Sequence, residues 1–120
     1  MQSVLAVEDC ASIRQLVSHV LKAAGYQVIL AEDGQVALDY AADNEVDLVL
    51  TDINMPRVDG IQLIQGLRAM PHYKYVPMLV LTTESGQDMK MKGREAGATG
   101  WLVKPFDPEQ LVNVIRKVLP

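Results

Sequence analysis

Five side chains able to handle a phosphoryl group stand where four separate apolar runs end. "VLAV" leads into Glu8 and Asp9, and "VDLVLT" into Asp52. "MLVL" leads into Thr82 and Thr83, and "GWLV" into Lys104 and Pro105. Short apolar runs separated by amphipathic stretches predict buried parallel strands. In an open parallel sheet, ligands bind outside the carboxyl ends of the strands. Three carboxylates, a hydroxyl and an ammonium would then meet at one edge. Mg²⁺ wants hard oxygen ligands and keeps several waters. Asp9 and Asp52 can ligate it directly, Glu8 can act through water, and the Asn54 backbone carbonyl, two residues past Asp52, is placed to complete the set. Two like charges about 4 Å apart cost roughly 4 kcal/mol at an effective dielectric of 20, so the carboxylates call for a divalent cation. Lys104 adds a positive charge able to pair with Asp52 or with a phosphoryl oxygen.

The elements that must position these groups follow from the apolar pattern. The first strand is expected at Val4–Val7. A helix over Ser12–Ala24 places Ile13, Leu16, Val17, Val20, Leu21 and Ala24 on one face, and Gly25 suits a left-handed helix end. A second strand is expected at Gln27–Ala31. A second helix over Gly34–Asp43 would pack through Ala37, Leu38 and Ala41. The third strand is expected at Val46–Thr51, followed by a loop marked by Asn54-Met55-Pro56 and Asp59-Gly60. The third helix spans Ile61–Met70 and stops at Pro71. The fourth strand is Pro77–Leu81, and the fourth helix is Ser85–Ala96, weakened by Gly86 and Gly93. The fifth strand is Trp101–Val103. The last helix opens on Asp107 as N-cap with Pro108 at its first position, and buries Leu111, Val112, Ile115, Val118 and Leu119. Five strands alternating with five helices predict a doubly wound α/β sandwich.

Composition narrows the function classes. The 120 residues make one domain, residues 1–120, with 49% hydrophobic residues. A single cysteine, Cys10, excludes an intrachain disulfide and points to a reducing compartment; it reads as a small helix-start residue. The net charge of −4, without a basic block, argues against nucleic-acid binding. No leader-like start and no long apolar run occur, so a cytoplasmic protein with no membrane role is expected. His19 and His72 lack metal-ligand partners at suitable spacing and are expected to face solvent. Asp59 reads as a turn residue and Phe106 as packing. Lys90, Lys92 and Arg94 read as a solvated face, or as a surface that meets an acidic partner. Of Met89 and Met91, one should pack while the other is exposed.

"VEDC", "TDINMPRVDG", "VLTTES" and "GATGWLVKPF" together resemble the signature segments of bacterial two-component response-regulator receiver domains. Thirty residues separate Asp52 from Thr82, and twenty-two separate Thr82 from Lys104, which fits that family across essentially the whole chain. The nearest resemblance is to single-domain chemotaxis regulators of the CheY type. It implies a flavodoxin-like sheet in the order 2-1-3-4-5. It implies that Asp52 accepts a phosphoryl group from a CheA-like histidine kinase, with Mg²⁺, or Mn²⁺, held by Glu8, Asp9, Asp52 and the Asn54 carbonyl. Thr82 and Lys104 would bond the phosphoryl group, Lys104 on a cis Lys-Pro peptide. Trp101 would be the switch aromatic moving with Thr82. The face of the fourth helix, fifth strand and fifth helix would bind an output protein such as a flagellar motor switch. Asn54 and Glu84 would tune dephosphorylation, toward a short-lived phosphoaspartate. Thr83, beside the pocket, would tune access to it. A monomer is the default for this type.

Three positions depart from the family's pattern. Glu8 stands where Asp is commoner. Trp101 replaces the usual Tyr or Phe, and an indole needs more room to turn inward. Thr83 stands where a smaller residue is frequent. Two rivals to a signalling switch that turns over no external substrate follow from the same residues. A Mg²⁺-dependent phosphohydrolase could use Asp52 as nucleophile, but Asn54 stands where a second acid is usual and there is no cap domain. A receiver cut from a larger DNA-binding regulator is the other; the absence of a linker or basic helix-turn-helix before Pro120 disfavours it. No P-loop and no G-x-S-x-G is present.

Overall fold

The computed structural model describes residues 2–55, 57–83 and 87–119, apart from the side chains of 87–89. Five parallel strands, β1 (Ser3–Val7), β2 (Gln27–Ala31), β3 (Leu48–Thr51), β4 (Met78–Thr82) and β5 (Gly100–Val103), form one sheet in the order 2-1-3-4-5. Five helices connect and flank them: α1 (Ala11–Ala23), α2 (Gly34–Asp43), α3 (Gly60–Arg68), α4 (Gln87–Ala96) and α5 (Pro108–Val118). The fold is the doubly wound one that the pattern predicts, with the flavodoxin-like strand order that the family resemblance implies. Crossovers between parallel strands are right-handed. The chain steps one way from β1 to β2 and the other way afterwards, so α1 falls on one face of the sheet and α2, α3 and α4 on the other.

Strand alternation builds both layers. Val4 and Ala6 of β1 join Leu48, Leu50, Leu79, Leu81 and Leu102 beneath Val17 and Leu21 of α1 and Leu111 and Ile115 of α5. Leu5 and Val7 point the other way, with Val49, Met78 and Val80, against Ala37, Ala41, Leu63, Ile64 and Leu67. Burying such a Leu or Val is worth about 1.5–3 kcal/mol, and the central strands are buried on both faces. Phe106 packs against the α1–α5 layer as expected.

Helix ends follow local chemistry. Asp33 caps α2 by accepting from the Val36 N–H, and Asp107 caps α5 ahead of Pro108. Asp59 proves to be the N-cap of α3, in a reciprocal capping box with Gln62, a more specific role than a turn residue. Gly25 has φ 97°, the left-handed conformation expected after α1.

The structure corrects several expectations. Leu16 is 45% exposed rather than part of the buried stripe; it lies about 100° around the helix from Val17, and α1 meets the sheet along a narrow line. Strand β3 starts at Leu48, not Val46; Val46 is buried ahead of it. Helix α3 ends at Arg68, not Met70. Met70 precedes Pro71 and takes extended dihedrals, the conformation a following proline favours; a short 3₁₀ turn, Pro71–Tyr73, follows. Val112, Val118 and Leu119 of the last helix are half-buried rather than fully buried. His72 is exposed as expected, yet its Nε2 is 2.9 Å from the Ala41 carbonyl oxygen. Glu84, the expected helix start at Ser85, Gly86, Pro56 and the Met89 side chain lie outside the described residues. Met91 is exposed. Lys92 and Arg94 face solvent, while Lys90 is half-buried.

Candidate functional site

The order of strands reverses between β1 and β3, and a crevice opens at such a switch point, outside the carboxyl ends of the strands. Register carries the polar residues to it. Val7 is paired with Thr51, and the next residues are Glu8 and Asp52. The Asp52 N–H donates to the Val7 carbonyl at 3.0 Å, and the Glu8 N–H to the Ala31 carbonyl at 3.0 Å. On the other side Thr82 is paired with Val103. The Lys104 N–H donates to the Thr82 carbonyl at 2.7 Å, and a cis Lys104–Pro105 peptide follows.

The Lys104 Nζ donates to a Glu8 carboxylate oxygen and, at 3.1 Å, to Asp52 Oδ2. The other Asp52 oxygen accepts the Ile53 N–H at 2.8 Å. Arg14 NH1 donates to the Glu8 carbonyl at 2.8 Å and, at its outer limit of 3.5 Å, to that of Asp9. Glu8 and Asp52 are only 4% and 8% exposed, Thr82 is fully buried, and Asp9 faces solvent. Among the described residues Glu8, Asp9 and Asp52 each offer an oxygen, all within 4.8 Å of one another. These are hard oxygen donors, and their charges exceed what Lys104 alone can balance, so they fit a small divalent cation.

Electrostatics reflects that imbalance. Burial pushes the Glu8 carboxyl up to about 7; the hydrogen bond from Lys104 opposes the rise and the Asp52 charge adds to it. Burial alone would pull the Lys104 ammonium down, but its bonds to Glu8 and Asp52 outweigh this and hold it above the usual lysine value. Burial, with the Asp52 charge beside it, thus favours the protonated form of Glu8 in the metal-free cluster.

Asn54 and Thr83 are exposed at the same edge. Trp101 is paired in register with Val80 and packs half-buried against the layer that holds α3 and α4. Its fit depends on a residue that sequence reading treated only as a weak point. A Cβ on Gly93 would lie 2.9 Å from the Trp101 Cζ3, so the glycine in α4 makes room for the indole. Arg68 was also missed: its guanidinium donates to the Gly97 carbonyl at 2.7 and 3.2 Å and to the Tyr73 carbonyl at 2.8 Å, tying the end of α4 to α3. The Asp33–Arg57 pair was missed as well, since 24 residues separate its members. Neither residue stands in a local motif that would signal the other.

A parallel 2-1-3-4-5 sheet with an acidic switch-point crevice defines the class of domain. The chain belongs to the response regulator receiver domain family, whose model matches residues 4–116. Receiver domains are signalling switches of two-component systems that interact with histidine kinases and output proteins. The chain is 33% identical to the chemotaxis protein CheY of Pseudomonas aeruginosa over 116 residues, 96% of this chain and 94% of that one. It is 39% identical to the transcriptional regulatory protein PrrA of Mycobacterium tuberculosis over 116 residues, but it spans only about half (49%) of that protein. Among solved structures, Vibrio cholerae chemotaxis protein CheY4 has a TM-score of 0.95 and 47% identity, with 98% of each chain covered. The receiver domain of sensor histidine kinase PA1611 from Pseudomonas aeruginosa, which has a magnesium ion coordinated in its active-site cleft, has a TM-score of 0.92 and 29% identity, with 98% of this chain and 97% of that one covered.

Proposed function

We propose that this chain is a Mg²⁺-dependent, phosphorylation-activated switch of a chemotaxis-type two-component system, with Asp52 as phosphoacceptor. The observation that carries the reading is the convergence of Glu8, Asp9, Asp52 and Lys104 at the switch-point edge. Bound there by Glu8, Asp9, Asp52 and the Asn54 carbonyl, Mg²⁺ would offset the carboxylates and draw the phosphoryl oxygens in; Mn²⁺ presents the same preference for hard oxygen ligands.

The remaining steps belong to the chain. An Asp52 carboxylate oxygen attacks the phosphorus of a phosphohistidine. The P–N bond breaks, and the imidazole leaves with its electron pair and takes up a proton. Lys104 turns from the Asp52 carboxylate to an oxygen of the new acyl phosphate. Thr82, at the end of β4, donates its hydroxyl to another. Movement of Thr82 would change the space beside Trp101 and so the face of α4, β5 and α5, where a motor-switch protein or another output partner binds. Attack of water on phosphorus later releases inorganic phosphate; Asn54 and Glu84 tune this step, and Thr83 tunes access to the pocket. The domain is a cytoplasmic monomer that turns over no external substrate. The 47% identity and TM-score of 0.95 with CheY4 favour the chemotaxis type. PrrA, a larger regulator at 39% identity, supports a second reading, the receiver half of a DNA-binding protein.

Incubation with acetyl phosphate and Mg²⁺, read by intact mass, tests the first reading. One added phosphoryl group is expected, absent from Asp52→Asn and from a chelator-treated sample. An adduct that persists in Asp52→Asn would place the acceptor elsewhere. Beryllofluoride-enhanced binding of a motor-switch peptide is expected for a chemotaxis output, and its absence would favour the second reading.

A further inference from the structure

The loop from Asp52 to Asp59 carries Asn54, and a second set of contacts holds its far end. Arg57 stands at φ 67°, a conformation that glycine adopts freely and arginine does not. Its side chain is 58% exposed, so apolar burial does not hold it there. Its guanidinium instead grips both oxygens of Asp33: NH2 to Oδ1 at 2.9 Å and to Oδ2 at 2.7 Å, and Nε to Oδ2 at 3.2 Å. Asp33 is itself fixed, because Oδ1 caps α2 through the Val36 N–H at 2.9 Å. The backbones are pressed together at the same place. A Cβ on Gly34 would lie 2.3 Å from the Val58 carbonyl oxygen, and one on Gly60 would lie 2.2 Å from that of Asp52. The Gly60 N–H closes the loop onto the Ile53 carbonyl at 2.9 Å.

We propose that Asp33 and Arg57 are positioning residues for the divalent cation, a brace from α2 that fixes the loop from which the Asn54 carbonyl reaches the metal. Neither residue touches the cation. The inference rests on the metal reading given above. A carbonyl ligand contributes only if its loop is held, and Mg²⁺ tolerates little departure from octahedral geometry. Partners that orient a metal's ligands affect affinity strongly even without contact.

Two variants separate the brace from its other duties. Asp33→Asn keeps an N-cap acceptor but loses the charge that holds the fork. Arg57→Gly keeps the left-handed backbone but loses the fork. Mn²⁺ binding followed by loss of the free-ion electron paramagnetic resonance signal reads affinity without any phosphoryl transfer. Each variant is expected to raise the half-saturating Mn²⁺ concentration about tenfold, the double variant no further than either alone, and Arg57→Lys to recover part of the loss. Unchanged Mn²⁺ affinity in both variants, with lower urea resistance in chelator, would overturn the proposal and leave the pair a purely structural tie. Failure of the unaltered protein to bind Mn²⁺ would instead overturn the metal reading and this inference with it.

Discussion

Two carboxylates at the same edge of the sheet are treated in opposite ways. Asp33 has the Val36 N–H and the Arg57 fork to itself, and these hold its carboxyl below the usual carboxylate range. Glu8 shares the single Lys104 ammonium with Asp52, and burial pushes it up to about 7. Asp33 is finished by its partners; Glu8 and Asp52 are left with more negative charge than the protein balances. A carboxylate that braces a loop without touching the cation is matched locally. A carboxylate that is to meet a cation and a phosphoryl group is left partly unmatched, at some cost to the metal-free fold.

The largest effect should come from removing the shared cation. Lys104→Ala leaves two buried carboxyls without their shared cation and is expected to cost about 3 kcal/mol in chelator. Urea denaturation checks this, and added Mg²⁺ should restore part of the loss. Arg57→Gly should cost much less, because its fork is largely exposed; equal losses would erase the contrast between the two carboxylates.

pH separates them next. Between pH 4.5 and pH 7 the folded state holds a proton on Glu8 that the unfolded chain has released. Metal-free stability from this group therefore falls as pH rises through that window. Asp33 has the opposite sign: its contribution is present above the ordinary carboxylate value and is lost as pH falls below it. Thermal melts across pH in chelator are expected to show the Glu8 decline, and Glu8→Gln to flatten it. A profile that rises from pH 4.5 to 7 in the unaltered protein would contradict the assignment.

Smaller effects are expected toward β5. Gly93→Ala gains about 1 kcal/mol of helix propensity but places a methyl 2.9 Å from the Trp101 ring. Its expected signature is a shifted tryptophan emission with Mg²⁺ affinity unchanged. Thr83→Ala, at an exposed position beside the crevice, is expected to speed labelling by acetyl phosphate about threefold, roughly 0.7 kcal/mol of barrier; an unchanged rate would reject a gating role for Thr83.

The sheet and its charged edge were legible because they depend on short-range pattern. Apolar runs ending at Asp9, Asp52, Thr82 and Lys104 are local, and parallel topology does the rest. What escaped was set by tertiary context. Leu16 satisfies the helical period but sits beyond the narrow line where α1 meets the sheet. Gly93 reads as a helix breaker until Trp101 is known to lie on it. Arg57 and Asp33 are ordinary charged residues whose meeting depends on α2 being carried back beside the β3–α3 loop. Tyr73, fully buried with its hydroxyl on the Asn44 carbonyl at 2.7 Å, likewise has no sequence signal for its partner.

Calorimetric titration of Mg²⁺ into the protein, in buffers of different ionisation enthalpy above and below pH 7, tests the central claim most directly. If the unmatched carboxylates form the cation site, Mg²⁺ and the Glu8 proton oppose each other there. One site is expected, with proton release below pH 7 that fades above it, affinity that rises with pH, and loss of binding in Asp52→Asn. No binding heat in any buffer, or binding with no proton released below pH 7, would contradict it.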